Sequence, residues 1–139
     1  MKKRIASLLF AVLFLCLSVV PALAATSRAS DQIHGYEITV TPQSGGKIKI
    51  TFHVEGNAEM DELGAEEITI YRHSGSNWVE VDYYDRNDPD MTRQNTGFCR
   101  DSVVFQGTSG AEYKVVVTIF AEDSYGYDSR TKTYIVTAK

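Results

Sequence analysis

From Tyr36 onward the chain alternates apolar and polar residues with a period of two, and no other feature constrains its fold as strongly. Tyr36, Ile38 and Val40 interleave with Glu37, Thr39 and Thr41; Ile48, Ile50, Phe52 and Val54 interleave with Lys47, Lys49, Thr51 and His53. Successive side chains of a strand point to opposite faces, so such runs form strands with one face buried and one wet. Ser44-Gly45-Gly46 separates the two runs and supplies the positive φ angles of a hairpin turn. The same reasoning predicts strands at 67–72, 78–84, 98–106, 113–121 and 130–137. About seven short strands with turn signals between them describe an all-β, antiparallel sandwich of two sheets, each hiding one face. Helical signals occur in one place, Asn57–Gly64, where a capping Asn, early acids and a final Gly predict a single turn.

The N-terminus follows another pattern. Lys2, Lys3 and Arg4 precede ten apolar residues, Leu8–Leu17, and then Pro21-Ala-Leu-Ala-Ala25. A basic segment, an apolar segment and an A-x-A site define a secretory signal peptide over 1–24, so the product is secreted. Cys16 lies in its apolar segment, and the Leu15 before it does not suit a lipid-attachment site. Residues 25–35 lack apolar alternation and are expected as a flexible arm, leaving the sandwich at 36–139. Losing Lys2, Lys3 and Arg4 leaves 11 basic against 18 acidic groups, a net charge of −7. Nucleic acid is excluded as a partner, because its binding needs clustered Lys and Arg. After residue 24 no apolar run approaches the roughly 20 residues that cross a bilayer, so no membrane association is expected.

Two segments resemble a known family. Gly107-Thr-Ser-Gly-Ala-Glu-Tyr-Lys-Val-Val-Val117, followed by Ser124-Tyr-Gly-Tyr-Asp-Ser129, is similar to the F strand and F–G loop of fibronectin type III domains. Ile68-Thr-Ile-Tyr-Arg72, a Gly turn and Trp78 resemble their C–C′ hairpin. The resemblance implies an immunoglobulin-like sandwich in which Tyr113 bonds to the chain just upstream. The chain departs from that family in lacking the usual Trp on strand B, where Ile50 or Phe52 must substitute. The whole also resembles short secreted bacterial proteins with one such sandwich, whose role is recognition or spacing.

No catalytic constellation is present. His34, His53 and His73 lie about twenty residues apart in no metal-ligand or triad spacing, and no Gly-rich phosphate loop occurs. The chain therefore reads as a non-enzyme without cofactors. Cys99 is the one cysteine after residue 24, so no disulfide forms within the domain; it shares parity with Val103 and Phe105 and reads as a buried hydrophobe, with a reactive, dimerising thiol as the alternative. Asp85-Arg-Asn-Asp-Pro-Asp90 resembles a calcium motif of cadherin-type sandwiches, which makes Asp85, Asn87, Asp88 and Asp90 candidate ligands; the competing reading is a turn whose Asp and Asn bond their own backbone.

The binding candidates are Trp78, Tyr84, Tyr125 and Tyr127. Parity puts Trp78 and Tyr84 on the polar face of their strand, with Val79, Val81 and Tyr83 inward, unless Met91 or Phe98 seals Trp78. Tyr125 and Tyr127 flank Gly126 in a loop. Aromatics at the ends of a sandwich fit an extracellular protein partner, or a glycan if they stack on sugar rings. The expected molecule is a monomeric recognition module, with a carbohydrate-binding module and a calcium-stabilised structural domain as alternatives.

Overall fold

The computed structural model describes residues 31–139, and the fold is antiparallel and all-β. The signal segment, Cys16 and residues 25–30 of the arm lie outside the described residues. Six strands follow in order: β1 Ile33–Pro42, β2 Lys47–Ser74, β3 Asn77–Asp85, β4 Thr92–Gln106, β5 Glu112–Asp123 and β6 Gly126–Thr137. A short 3-10 turn, Ser44–Gly46, joins β1 to β2, with Gly45 and Gly46 at φ of 77° and 79°. β1 starts ahead of the alternation at Tyr36, and Gln32 and Ile33 are already buried.

The expected strands at 47–54 and 67–72 are one element. β2 runs for 28 residues, and its two halves serve different neighbours. Lys47–Glu55 lies between β1 and the end of β4, with Phe52 opposite both Ile38 and Asp101. Glu67–Arg72 lies between β3 and β5, with Ile68 opposite Tyr84 and Val117. At Glu62–Gly64 the strand is flanked by β4 on one side and β5 on the other, and β6 completes the sheet beyond β5. The result is one curled sheet whose concave face closes on itself. Ile38, Ile48, Ile50, Phe52, Val54, Ile68, Ile70, Val115, Val117 and Ile119 form a single buried cluster inside the curl. Where the free edges of β1 and β6 approach, Tyr134 Oη donates to the Ile38 carbonyl at 2.8 Å.

The helical turn expected at Asn57–Gly64 does not form. Gly56–Glu59 drop out of the pairing with β4, which resumes at Met60 opposite Thr96. Asn57 is held there by the N-terminal segment, its amide donating to Gln32 O at 3.0 Å. The three-residue spacing of Met60 and Leu63 mimics a helix face. Both are buried in extended chain, with Asp61 exposed between them.

Cys99 lies in the buried cluster, 1% exposed, and desolvation lifts its thiol to about 11. That environment favours the protonated thiol at neutral pH. Tyr113 is also buried, and its Oη accepts the Thr108 amide at 2.8 Å, five residues upstream. Phe105 packs edge-on against its ring.

Gly64 marks the tightest crossing. Its φ is 147°, and a Cβ there would collide with the Met91 carbonyl and lie 2.8 Å from Thr92 Cα. The crossing is closed by the Ala65 amide, which donates to Met91 O at 2.8 Å. Gly64→Ala should therefore cost about 2–4 kcal/mol by combining backbone strain with overpacking. A loss below 0.5 kcal/mol (about half the handicap of an ordinary mutation) in equilibrium denaturation would show that this crossing is loose.

Candidate functional site

Beyond a bulge, the second half of β3 turns the opposite face inward from the one its alternation predicts. The register slips between Ile70 and Tyr71, leaving Val81 without a partner; beyond this bulge Asp82 faces Ile70 and Tyr84 faces Ile68. Tyr84 accordingly packs against the core, whereas Val79, Val81 and Tyr83 are exposed, Tyr83 at 47%. Tyr84 Oη donates to Asp82 Oδ2 at 3.0 Å, and desolvation with this bond pushes the phenol up to about 12.

Trp78 remains on the outer face, half-buried. His73 stacks on it with centroids 4.8 Å apart, and Lys114 Nζ lies 5.2 Å above its ring. Neither Met91 nor Phe98 seals it: Met91 is buried beneath Gly64 and Phe98 is 62% exposed. Trp78 also stands far from the tyrosine loop. It neighbours Glu112 at the start of β5 through His73, whose Nδ1 is 3.2 Å from Glu112, while Tyr127 pairs with Glu122 near the other end. Ten residues of strand separate those ends by roughly 34 Å. The four aromatic candidates do not share one surface.

The opposite end gathers a site from the β3–β4 loop and the β5–β6 turn. Tyr125 tips that turn and is 90% exposed. The backbone that carries it is tied down, because Asp123 Oδ1 accepts the amides of Tyr125 and Gly126 at 2.8 and 3.0 Å. Tyr127 donates to Glu66 Oε2 at 2.6 Å and stacks on Phe120, 6.1 Å between centroids. Desolvation and the Glu66 bond both raise its phenol.

Arg86 organises the rest of this end. Its Nη2 donates to Glu62 Oε2 at 2.5 Å and to Glu122 Oε1 at 2.6 Å, and its guanidinium lies 4.1 Å over the Phe120 ring. Partial burial opposes its charge, but the bonds to Glu122 and Glu62 outweigh that and raise its pKa. Thr92 Oγ1 donates to the second oxygen of Glu62 at 2.8 Å. The cluster pins the acidic loop to β2 and β5. Arg86, Glu62 and Glu122 carry no local sequence signal of this. Phe120 does carry one: Ile119-Phe120-Ala121 are three consecutive apolar residues, which call for cover on both faces of β5, and all three are buried.

Within the acidic loop the carboxylates cap their own turn. Asp88 Oδ2 accepts the Asp85 amide at 2.8 Å, and Asp85 Oδ1 accepts the Asn87 amide at 2.7 Å. Asn87 is exposed, as is Asp90, which takes a positive φ of 65°. Among the described residues no group of three or more His, Cys, Asp or Glu side chains is placed to hold a metal ion. On another face, His53 receives Arg100 Nη2 on Nδ1 at 3.3 Å and stands 3.3 Å from Glu55 through Nε2.

Compared with protein-family models, with curated proteins and with solved structures, the chain matches none of them.

Removing the Arg86 guanidinium leaves Glu62 and Glu122 facing each other across β2 and β5. Arg86→Met should lower stability by about 1–3 kcal/mol, between the values for exposed and for buried ion pairs. The loss should shrink when Glu62→Gln is added, as a double-mutant cycle by denaturation would show; additive losses would mean that the pair is not coupled.

Proposed function

We propose that this chain is a secreted, non-enzymatic recognition module built on an immunoglobulin-like, fibronectin type III-like sandwich, and that it binds an extracellular protein through the Tyr125 end. Two features support the finer fold reading. β2 divides its partners into a β1–β2–β4 group and a β3–β2–β5–β6 group, the three-plus-four division of such sandwiches. The bond from Thr108 to Tyr113 has the form of the tyrosine corner that the resemblance implies.

One observation carries the functional reading: a 90%-exposed Tyr on a hairpin tip whose backbone is tied down by Asp123, which accepts the amides of Tyr125 and Gly126. A large ring with few degrees of freedom loses little entropy on binding, so it makes an efficient anchor. A protein partner suits it better than a glycan. Sugar stacking needs a row of free coplanar rings, whereas Trp78 lies at the far end under Lys114 and Tyr84 faces the core.

Photo-crosslinking with a benzophenone amino acid at position 125, performed on cells that secrete the protein, tests this. A discrete protein adduct is expected from position 125 and none from position 104 on the other face. Saturable hits on a glycan array that vanish in Tyr125→Ala, with no protein adduct, would replace this reading with the carbohydrate one.

A further inference from the structure

β3 and β4 each pair with β2 on one side alone, so each presents an outward edge. An open edge offers unpaired amides to another strand, and apolar side chains beside it make the pairing adhesive. Both edges have such side chains: Val79, Val81 and Tyr83 on β3, and Phe98 and Val104 on β4, are all exposed. Asp disfavours strands, yet one stands in the middle of each edge.

Those aspartates perform the same act. Asp82 Oδ1 accepts the amide of Tyr83 at 2.9 Å, and Asp101 Oδ1 accepts the amide of Ser102 at 2.9 Å. Amide groups along an antiparallel strand point alternately toward the partner and away from it. An amide bonded to a carboxylate of its own strand is therefore withdrawn from the outward ladder. Each carboxylate is fixed by its other oxygen, Asp82 Oδ2 by Tyr84 Oη at 3.0 Å and Asp101 Oδ2 by Arg93. On β3 the device continues: Asp88 Oδ2 takes the Asp85 amide at 2.8 Å, and the bulge at Val81 interrupts the edge just before the two capped amides.

We infer that Asp82 and Asp101 cap the outward amides of β3 and β4 and so close both edges to strand addition by a second copy of this chain. Like charge adds to the closure. Antiparallel pairing of two β3 edges about Val81 would set Glu80 of one copy opposite Asp82 of the other, which is repulsive. At β3 and β4 this leaves side chains, not backbone, for any partner.

The test separates capping from charge. Asp82→Ala with Asp101→Ala should associate in a concentration-dependent manner by size-exclusion chromatography with light scattering, about tenfold tighter for each amide released. Asp82→Asn with Asp101→Asn keeps an acceptor oxygen and should remain monomeric, as should the unaltered protein. A monomeric Ala variant with native near-ultraviolet circular dichroism would overturn the inference. So would Asn variants that associate as strongly as the Ala variants, since charge alone would then be the barrier. Should the double Ala variant not fold, hydrogen exchange in the single variants decides: the amide of Tyr83 or Ser102 should exchange about tenfold faster once its cap is lost, and unchanged exchange overturns the assignment.

Discussion

The passage of β2 between β4 and β5 at Glu62–Gly64 is the constraint on which the rest of the structure depends. Because one strand belongs to both halves of the sheet, the curl is set by covalent geometry before the core fills it. Ile48, Ile50, Phe52 and Val54 come from one half of that strand and Ile68 and Ile70 from the other, so a single segment brings both faces to the same apolar cluster. The release of Gly56–Glu59 from pairing provides the bend, and Gly64 lets the β3–β4 loop cross without a Cβ in the way. Burying these side chains supplies the main driving force, and no disulfide assists among the described residues, where Cys99 is the free cysteine.

That frame explains the character of the Tyr125 end. Glu62 and Glu122 meet there because β2 and β5 pair, and their mutual repulsion is relieved by an arginine arriving from the loop. Arg86 in turn covers Phe120, whose ring supports Tyr127. The acidic loop is therefore tied down through its one cation, while its carboxylates cap the turn. The proposed anchoring role of Tyr125 rests on this base, because a ring carried on a fixed turn loses little in being ordered.

Much of this was legible in the sequence, and the failures have identifiable causes. Strict alternation marked the inward faces of β5 and of the first half of β2 correctly, because those strands are regular where it was counted. Parity likewise put Cys99 inside, and the resemblance to fibronectin type III domains pointed to the bond made by Tyr113. β3 was misread because a bulge at Val81 reverses the alternation, and a bulge leaves no mark in a pattern of apolar and polar residues. Asn57–Gly64 lacks a period of two because the chain leaves the β4 ladder after Glu55 and rejoins it only at Met60. The Arg86 cluster joins residues 24 and 36 positions apart, a distance no local pattern reports.

The most direct test of the account is the neighbourhood of Leu63 in solution. Nuclear Overhauser contacts should link Leu63 both to Arg93 and to Ala121, with extended backbone couplings through Met60–Ala65. A ladder of sequential amide–amide contacts over Asn57–Gly64, with no contact to β4, would restore a helical turn there and contradict a strand shared by both halves of the sheet.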